Sequence, residues 1–202
     1  MLVTVSGMVG SGKSTAVTHI VALLRQEGFL NVEAWNFRSL PCFGRTRADR
    51  DGDTSDGVPG SNSVPERGRG YTRRRLTAAL AMGYIARAVS FRVYRLSHRG
   101  PRVCNRYFFD NFSHFELESR RERLWLGLLR VLLPRPDLAI LLVASADTIA
   151  RRRPNYSSDY VAQVHAAYAE LPNLFPELEV LSTDEPGALN RLDALVKARV
   201  GP

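Results

Sequence analysis

The sequence predicts an α/β fold in which a parallel sheet of about five strands is covered by helices on both faces. Three observations predict it. Short apolar runs alternate along the chain with longer segments of helical periodicity, and this alternation is typical of parallel sheets. The runs lack an alternating polar face, as strands buried on both sides do. Breaks that contain glycine or proline separate the segments.

The first elements begin with a β-branched run at 2–5, which is long enough for a buried strand. A glycine-rich loop follows it. Residues 14–26 then place apolar side chains at helical spacing, and Gly28 is positioned to end that helix. A second strand is predicted at 31–37. The order strand, glycine loop, helix and strand therefore opens the predicted sheet.

Residues 45–75 differ in composition from the rest of the chain. They are dense in glycine, aspartate, arginine, serine and proline, and they have no periodic apolar face. We expect a mobile loop or insertion here. Two interpretations stay open, a tolerated surface insertion and a lid that becomes ordered over a substrate.

The remainder of the chain continues the alternation to its end. Gly100 and Pro101 precede the third strand, Pro136 precedes the fourth, and Pro154 stops the helix after it. The predicted strands are 102–107, 138–143 and 179–181, and the predicted helices are 76–97, 115–133, 146–153, 159–171 and 188–198. With 202 residues and 45% hydrophobic content, residues 1–202 suit one domain with a sizeable core.

The charge of the chain is carried almost entirely by arginine. Lys13 and Lys197 are the only lysines, which leaves 26 arginines in a chain of formal net charge +8. A small anionic substrate explains a basic cleft as well as a nucleic acid does. We therefore do not expect nucleic acid as a partner.

Absent cysteine motifs, signal peptides and membrane spans bear on the cellular compartment and on zinc binding. Cys42 and Cys104 have no spacing typical of a zinc site or a disulfide framework. The glycine loop begins after six residues, which leaves no room for a signal peptide. No apolar run approaches the length of about 18–20 residues that spans a membrane. We expect a cytoplasmic protein without a membrane partner.

The strongest motif is GMVGSGKST at 7–15. It fits G-x-x-x-x-G-K-[ST] and lies between a predicted strand and a predicted helix. Glycines let backbone N–H groups turn towards an anion, and the helix N-terminus adds positive potential. Lys13 would contact the β- and γ-phosphates, and the Ser14 hydroxyl would bind Mg²⁺. The expected binding residues for ATP with Mg²⁺ are Gly7, Val9, Gly10, Ser11, Gly12, Lys13, Ser14 and Thr15.

This motif predicts a three-layer P-loop NTPase fold, and the rest of the sequence narrows the class. Switch GTPases need an N/T-K-x-D motif, but Lys197 is followed by Ala198 and Arg199. A small P-loop protein rich in arginine indicates a kinase of small phosphorylated molecules, because guanidinium groups offset charge on the transferring phosphoryl group.

Several segments in the right order resemble the thymidylate kinase-like branch of the nucleoside monophosphate kinases. GMVGSGKST resembles the phosphate loop of that family, and VCNRYFFDNF at 103–112 resembles its strand-ending DRY segment. RPDLAILLVASADTIARRRPN at 135–155 resembles its later strand and lid helix. Residues 160–171 resemble the helix that follows, and VLSTDEP at 180–186 resembles its closing strand and adenine-facing loop. The resemblance covers about two-thirds of the chain.

The resemblance implies roles for particular residues. Arg106 would contact the acceptor phosphate or the transferring phosphoryl group. Arg152, in a lid region at 146–160, would approach the nucleotide, with Arg151 and Arg153 as alternatives. Arg87 and Arg38 correspond to substrate-binding arginines. Independently of the resemblance, Tyr84 could stack on a nucleobase, as could Tyr71.

Two departures from the family pattern concern carboxylates. Val9 and Asn105 stand where the family has Asp. Asp110 could supply a carboxylate from another position, and it could equally be an acid that caps the next helix. These changes leave the acceptor open.

The sequence therefore predicts ATP-dependent phosphoryl transfer to a small-molecule acceptor. The acceptor expected first is a nucleoside monophosphate, with Lys13, Arg106, Arg152 and Asp110 as candidate catalytic residues. Three alternatives stay open: a kinase of a nucleoside, sugar or natural-product hydroxyl, a non-catalytic nucleotide-binding module, and a nucleic-acid-dependent ATPase. A second copy of the chain, forming a homodimer, is also considered as a partner.

Overall fold

The five main strands form one parallel sheet. A computed structural model describes residues 1–36, 71, 73–97, 100–117 and 119–200. Arg38 and most of the predicted loop at 45–75 lie outside these residues. The strands are β1 (Leu2–Gly7), β2 (Glu33–Asn36), β4 (Arg102–Asn105), β6 (Leu138–Val143) and β7 (Leu178–Ser182), in the spatial order β2-β4-β1-β6-β7. The two remaining described strands, β3 (Arg74–Arg75) and β5 (Phe115–Glu116), pair with each other in a small second sheet.

Strand β1 occupies the centre of the sheet and is buried along its whole length. Val3 pairs in parallel with Val103 on one side and with Leu138 on the other. The strand that begins the chain is thus enclosed by segments about 100 and 135 residues further along the sequence. Because the chain leaves β1 towards β2 on one side and later crosses to β6 on the other, a crevice forms at the carboxyl end of β1.

Helices cover both faces of the sheet, which gives three layers. The described helices are α1 (Lys13–Gln26), α2 (Ala78–Ser97), α3 (Phe108–Phe112), α4 (Arg120–Leu132), α5 (Ala146–Arg152), α6 (Ser158–Ala169), α7 (Leu171–Leu174) and α8 (Ala188–Val200). Helices α1 and α8 pack on one face, against Val3, Val5 and Ile140. The other described helices build the second core, together with Leu2 and Leu141. Side chains that alternate along β1 and β6 therefore enter opposite cores.

Several element boundaries differ from the sequence prediction, among them the following three. The helix predicted to begin at 115 begins at Arg120, because Ser119 accepts a hydrogen bond from the Glu122 amide and starts the helix there. The strand predicted at 102–107 ends at Asn105, since the next residue leaves the extended conformation. The helix predicted at 159–171 is interrupted after Ala169.

The small second sheet was not predicted. Arg74 and Arg75, which fall at the end of the predicted loop, pair in parallel with Phe115 and Glu116. In both segments the apolar alternation is too short to be distinguished from a loop. Among the helices of the described ranges, none has the length and apolar content needed to cross a membrane.

Candidate functional site

The glycine-rich loop joins the carboxyl end of β1 to the N-terminus of α1. Gly7, Gly10 and Gly12 have φ angles of 148°, 83° and 88°, which glycine adopts without the steric penalty of a side chain. Gly12 immediately precedes α1, so the first amides of that helix have no intrahelical acceptor. The loop therefore provides the backbone donors that bind anions at helix N-termini.

We expect the substitution Gly7→Ala to destabilise the protein by at least about 2 kcal/mol. An alanine Cβ at this position would lie 2.4 Å from the Leu142 carbonyl oxygen and 2.7 Å from Ser11 Oγ, and the φ angle of 148° would add strain. Chemical denaturation measures the change. Gly83→Ala is the matched control, because its Cβ has no neighbour within 4 Å in α2 and is expected to stabilise by about 0.5–1 kcal/mol. Equal denaturation midpoints for Gly7→Ala and the unaltered protein would contradict the prediction.

Lys13 lies inside the curve of this loop. Its Nζ donates to the Met8 carbonyl oxygen at 2.7 Å, and the residue is only 5% exposed. A buried ammonium group beside the backbone amides of a helix N-terminus concentrates positive potential at one point. The loop, its lysine and the helix end thus form a candidate phosphate-binding site.

Arginines at the end of α5 also lie next to the loop. Arg152 Nη1 donates to the Gly10 carbonyl oxygen at 2.9 Å, and Arg153 Cγ lies 3.4 Å from where a Cβ on Gly10 would stand. Arg151 instead donates to Thr148 Oγ1 of its own helix. The structure therefore brings Arg152 and Arg153 to the loop.

The segment after β7 also lies against this loop. Thr183 Cγ2 is 3.8 Å from where a Cβ on Gly12 would stand. Asp184 accepts a hydrogen bond from the Ser145 amide, which is the main reason that the pKa of its carboxyl is lowered. This bond fixes the segment to the start of α5, beside the glycine loop.

Arg106 stands at the carboxyl end of β4, next to β1. Its amide donates to the Val5 carbonyl oxygen at 2.9 Å, and its φ angle is 67°. Within the ranges that the structure describes, it is the one non-glycine residue with a positive φ. This conformation costs about 1–2 kcal/mol for a residue with a Cβ, and such strain is concentrated at functional sites.

Asn105 directly precedes Arg106 and carries a buried Oδ1 that has no hydrogen-bond partner. Alternation along β4 places its side chain on the same face as that of Val103, which packs in the core containing α1. Ser14, the second residue of α1, is exposed at the start of that helix. Asn105 therefore lies on the face of the sheet that carries the phosphate loop.

Asp110 is buried behind the loop, with 3% of its surface exposed. Its Oδ1 accepts from the Gly7 amide at 3.2 Å and from Tyr168 Oη at 3.0 Å. Its Oδ2 accepts from the Tyr107 amide at 3.0 Å. The sequence offered two interpretations of this residue, and these contacts favour that of an acid at a helix start.

Tyr84 and Arg87 lie on α2 and contact each other and the aromatic core. The Tyr84 ring packs against Phe108, Phe112 and Phe115 at centroid distances of 5.9–6.5 Å. The Arg87 guanidinium lies 5.7 Å from the centre of the Tyr84 ring. Their part in acceptor binding stays a prediction.

Sequence reasoning missed a tyrosine cluster near Arg106. Tyr156 and Tyr160 stack at 5.1 Å, and Tyr71 contacts Tyr160 edge-on at 6.1 Å. Burial raises the pKa of Tyr71 and Tyr160, and the charge of Arg106 partly opposes this rise for the pKa of Tyr160. Only the four-residue spacing of Tyr156 and Tyr160 could have indicated the pair from sequence.

The comparisons with known proteins establish the fold. No family model and no curated protein matches the chain. Among solved structures, the crystal structure of thymidylate kinase from Ehrlichia chaffeensis is similar, with a TM-score of 0.53 and 15% sequence identity. The similarity covers 96% of this chain and 94% of that one. The predicted three-layer α/β fold of P-loop kinases is thereby confirmed.

Proposed function

We propose that this protein transfers the terminal phosphoryl group of ATP to a small-molecule acceptor, and that the acceptor is a nucleoside monophosphate. The observation that carries the proposal is a pair of cationic side chains on neighbouring strand ends. Lys13 lies in a glycine loop built for phosphate at the end of β1, and the strained Arg106 lies at the end of β4. Donor and acceptor phosphates meet in the crevice between such strand ends.

The donor half consists of the glycine loop, Lys13 and Arg152. The loop amides and the Lys13 ammonium bind the β- and γ-phosphates, because both present N–H donors at one concave surface. Arg152, which contacts Gly10, adds a guanidinium at the edge of the loop. We assign residues 146–160 as the lid, since they carry this arginine to the phosphates.

The fold family implies Mg²⁺, and the oxygen atoms on this face of the sheet fit it. The buried Asn105 Oδ1 lacks a partner, and Ser14 supplies a hydroxyl from the first turn of α1. Amide, hydroxyl and water oxygens suit Mg²⁺, which keeps several of its waters. No cluster of three His, Cys, Asp or Glu able to hold a metal occurs in the described part of the chain. When bound, the ion would neutralise charge on the β- and γ-phosphate oxygens.

The acceptor half is formed by Arg106 with the aromatic residues around it. The Arg106 guanidinium offsets the negative charge that two phosphates bring together, so that the acceptor oxygen can approach in line. Tyr84 and Arg87 on α2, and the tyrosine pair at 156 and 160, supply rings and charge for the rest of the acceptor. Arg38, beyond the described residues, stays a proposed contributor.

The buried position of Asp110 favours a phosphate acceptor over a hydroxyl acceptor. A neutral hydroxyl benefits from a carboxylate base within hydrogen-bond reach. Both oxygens of Asp110 already accept protein donors. A phosphate oxygen is already anionic and requires no such base, so positioning and charge neutralisation suffice.

A panel assay tests this function. The purified chain is incubated with ATP, Mg²⁺ and one acceptor at a time, drawn from nucleoside monophosphates, nucleosides and sugars, and ADP release is measured. We expect saturable, acceptor-dependent release with at least one nucleoside monophosphate. Saturation with a nucleoside or sugar alone would replace the proposed acceptor with a hydroxyl. Tight ATP binding without acceptor-dependent release would make the chain a nucleotide-binding module, an alternative that Asn105, in place of the Asp of the family that the sequence resembles, favours.

A further inference from the structure

The Asp110 carboxylate joins three parts of the fold that are distant in sequence. It accepts from the amide of Gly7 at the end of β1, from the amide of Tyr107 at the start of α3, and from the phenol of Tyr168 on α6. The first and the last of these contacts span 103 and 58 residues of chain. No local motif requires this convergence.

Because this network is buried, its carboxylate depends on hydrogen bonds from the protein. Asp110 is 3% exposed and Tyr168 is 5% exposed. A buried carboxylate without donors is costly, and here three donors satisfy most of the roughly four acceptor positions of its two oxygens. Burial raises the pKa of Tyr168 well above its usual value, with the negative charge of Asp110 as the next cause. The Tyr168 phenol therefore keeps its proton and donates a hydrogen bond to Asp110.

We propose that Asp110 is a positioning residue that sets the first residue of the phosphate loop, and that Tyr168 holds Asp110 in place for this task. Gly7 is the last residue of β1 and the first of the loop, and the Leu142 carbonyl oxygen lies so near that a Cβ at this position would clash with it. The hydrogen bond that the Gly7 amide donates to Asp110 orients this amide and thereby fixes where the loop turns towards α1. Since Tyr107 directly follows Arg106 in the chain, the same carboxylate also holds the loop at a fixed position relative to the acceptor arginine. The inference deepens the proposed function and rests on it for the role of the loop.

Two substitutions separate this role from that of a catalytic base. Tyr168→Phe removes one donor and leaves the carboxylate itself unchanged. Asp110→Asn places an amide NH₂ against at least one of the three donors, at nearly constant volume. We expect the dissociation constant for ATP, measured by calorimetry without acceptor, to rise about 5-fold for Tyr168→Phe and about 20-fold for Asp110→Asn.

The double variant supplies the decisive comparison. If Tyr168 acts only through Asp110, the double variant binds ATP no more weakly than Asp110→Asn alone, because the two effects belong to one network. Tyr107→Phe is the matched control. It also loses a buried phenol hydrogen bond, to the Pro134 carbonyl oxygen, but it keeps the backbone amide through which Tyr107 belongs to the network. We expect Tyr107→Phe to lose stability while its ATP affinity stays within about twofold of the unaltered protein.

Hydrogen exchange of the Gly7 amide tests the positioning without any nucleotide. We expect Tyr168→Phe and Asp110→Asn to accelerate exchange at Gly7 more than at Val3, whereas Tyr107→Phe should not single out Gly7. This measurement stays valid if the panel assay finds no phosphoryl transfer, so the two proposals fail independently. Unchanged exchange at Gly7 in both variants would overturn the inference. A lower kcat of Asp110→Asn at unchanged ATP affinity, together with unchanged kcat and ATP affinity of Tyr168→Phe, would also overturn the inference. That is the pattern expected of a catalytic base.

Discussion

Replacing Arg106 by glycine is expected to lower turnover about 10³-fold and yet give a more stable protein than replacing it by alanine. The loss of turnover is expected because the substitution removes a guanidinium that, in the proposed site, neutralises charge between two phosphates. The difference in stability follows from the φ angle of 67°, which glycine adopts without strain and alanine does not. We expect Arg106→Gly to exceed Arg106→Ala by about 1 kcal/mol in free energy of unfolding.

The difference in free energy of unfolding between Arg106→Gly and Arg106→Ala isolates the effect of the backbone conformation. Both lose whatever contacts the arginine side chain makes, so that their difference reports the backbone alone. Denaturant unfolding measures the stability and the acceptor-dependent release of ADP measures the turnover. Arg106→Lys restores the charge but not the planar guanidinium, and we expect it to recover only part of the rate. A glycine variant less stable than the alanine variant would contradict the strain, and an active alanine variant would remove Arg106 from the proposed site.

Replacing Lys13 by methionine is expected to lower kcat/KM about 100-fold or more. In the proposed site the ammonium would form charge-assisted hydrogen bonds to two phosphates, each worth about 1.5–3 kcal/mol. Methionine retains much of the length and apolar volume of the side chain. The substitution therefore removes the charge without leaving a large cavity in the loop.

The chain supplies the control for this experiment, because Lys197 is the only other lysine. It is more than half exposed and lies 3.8 Å from Glu27, far along α8 from the loop. We expect Lys197→Met to retain kcat/KM within about twofold, since an exposed ion pair contributes little. A lysine-directed acylating reagent gives a second measurement: ATP should protect Lys13 and leave Lys197 reactive. Equal activities of the two variants would contradict the assignment of the loop.

The parts of the site that follow from local chemistry could be predicted from sequence. The glycine loop is one, because its spacing and its place between a strand and a helix belong to a single continuous segment. The alternation of buried runs and helices likewise predicted the layers and the parallel sheet, which the structure confirms.

The parts that depend on distant residues could not be predicted. From sequence, Tyr168 is one residue on the apolar face of a predicted helix. Only the fold brings its hydroxyl to Asp110. The positive φ of Arg106 arises where β4 ends against β1, so no residue preference of arginine predicts it. The pairing of Arg74 and Arg75 with Phe115 and Glu116 is likewise a product of tertiary packing.

The central place of β1 has a consequence for synthesis on the ribosome. This strand emerges before its two neighbours in the sheet, which lie about 100 and 135 residues later. At about 5–20 residues per second, the strand waits on the order of ten seconds before its second edge can pair. A nascent chain cannot offer a finished phosphate loop until β6 has emerged. ATP added during translation would therefore stabilise completed domains and leave shorter chains unprotected from proteases.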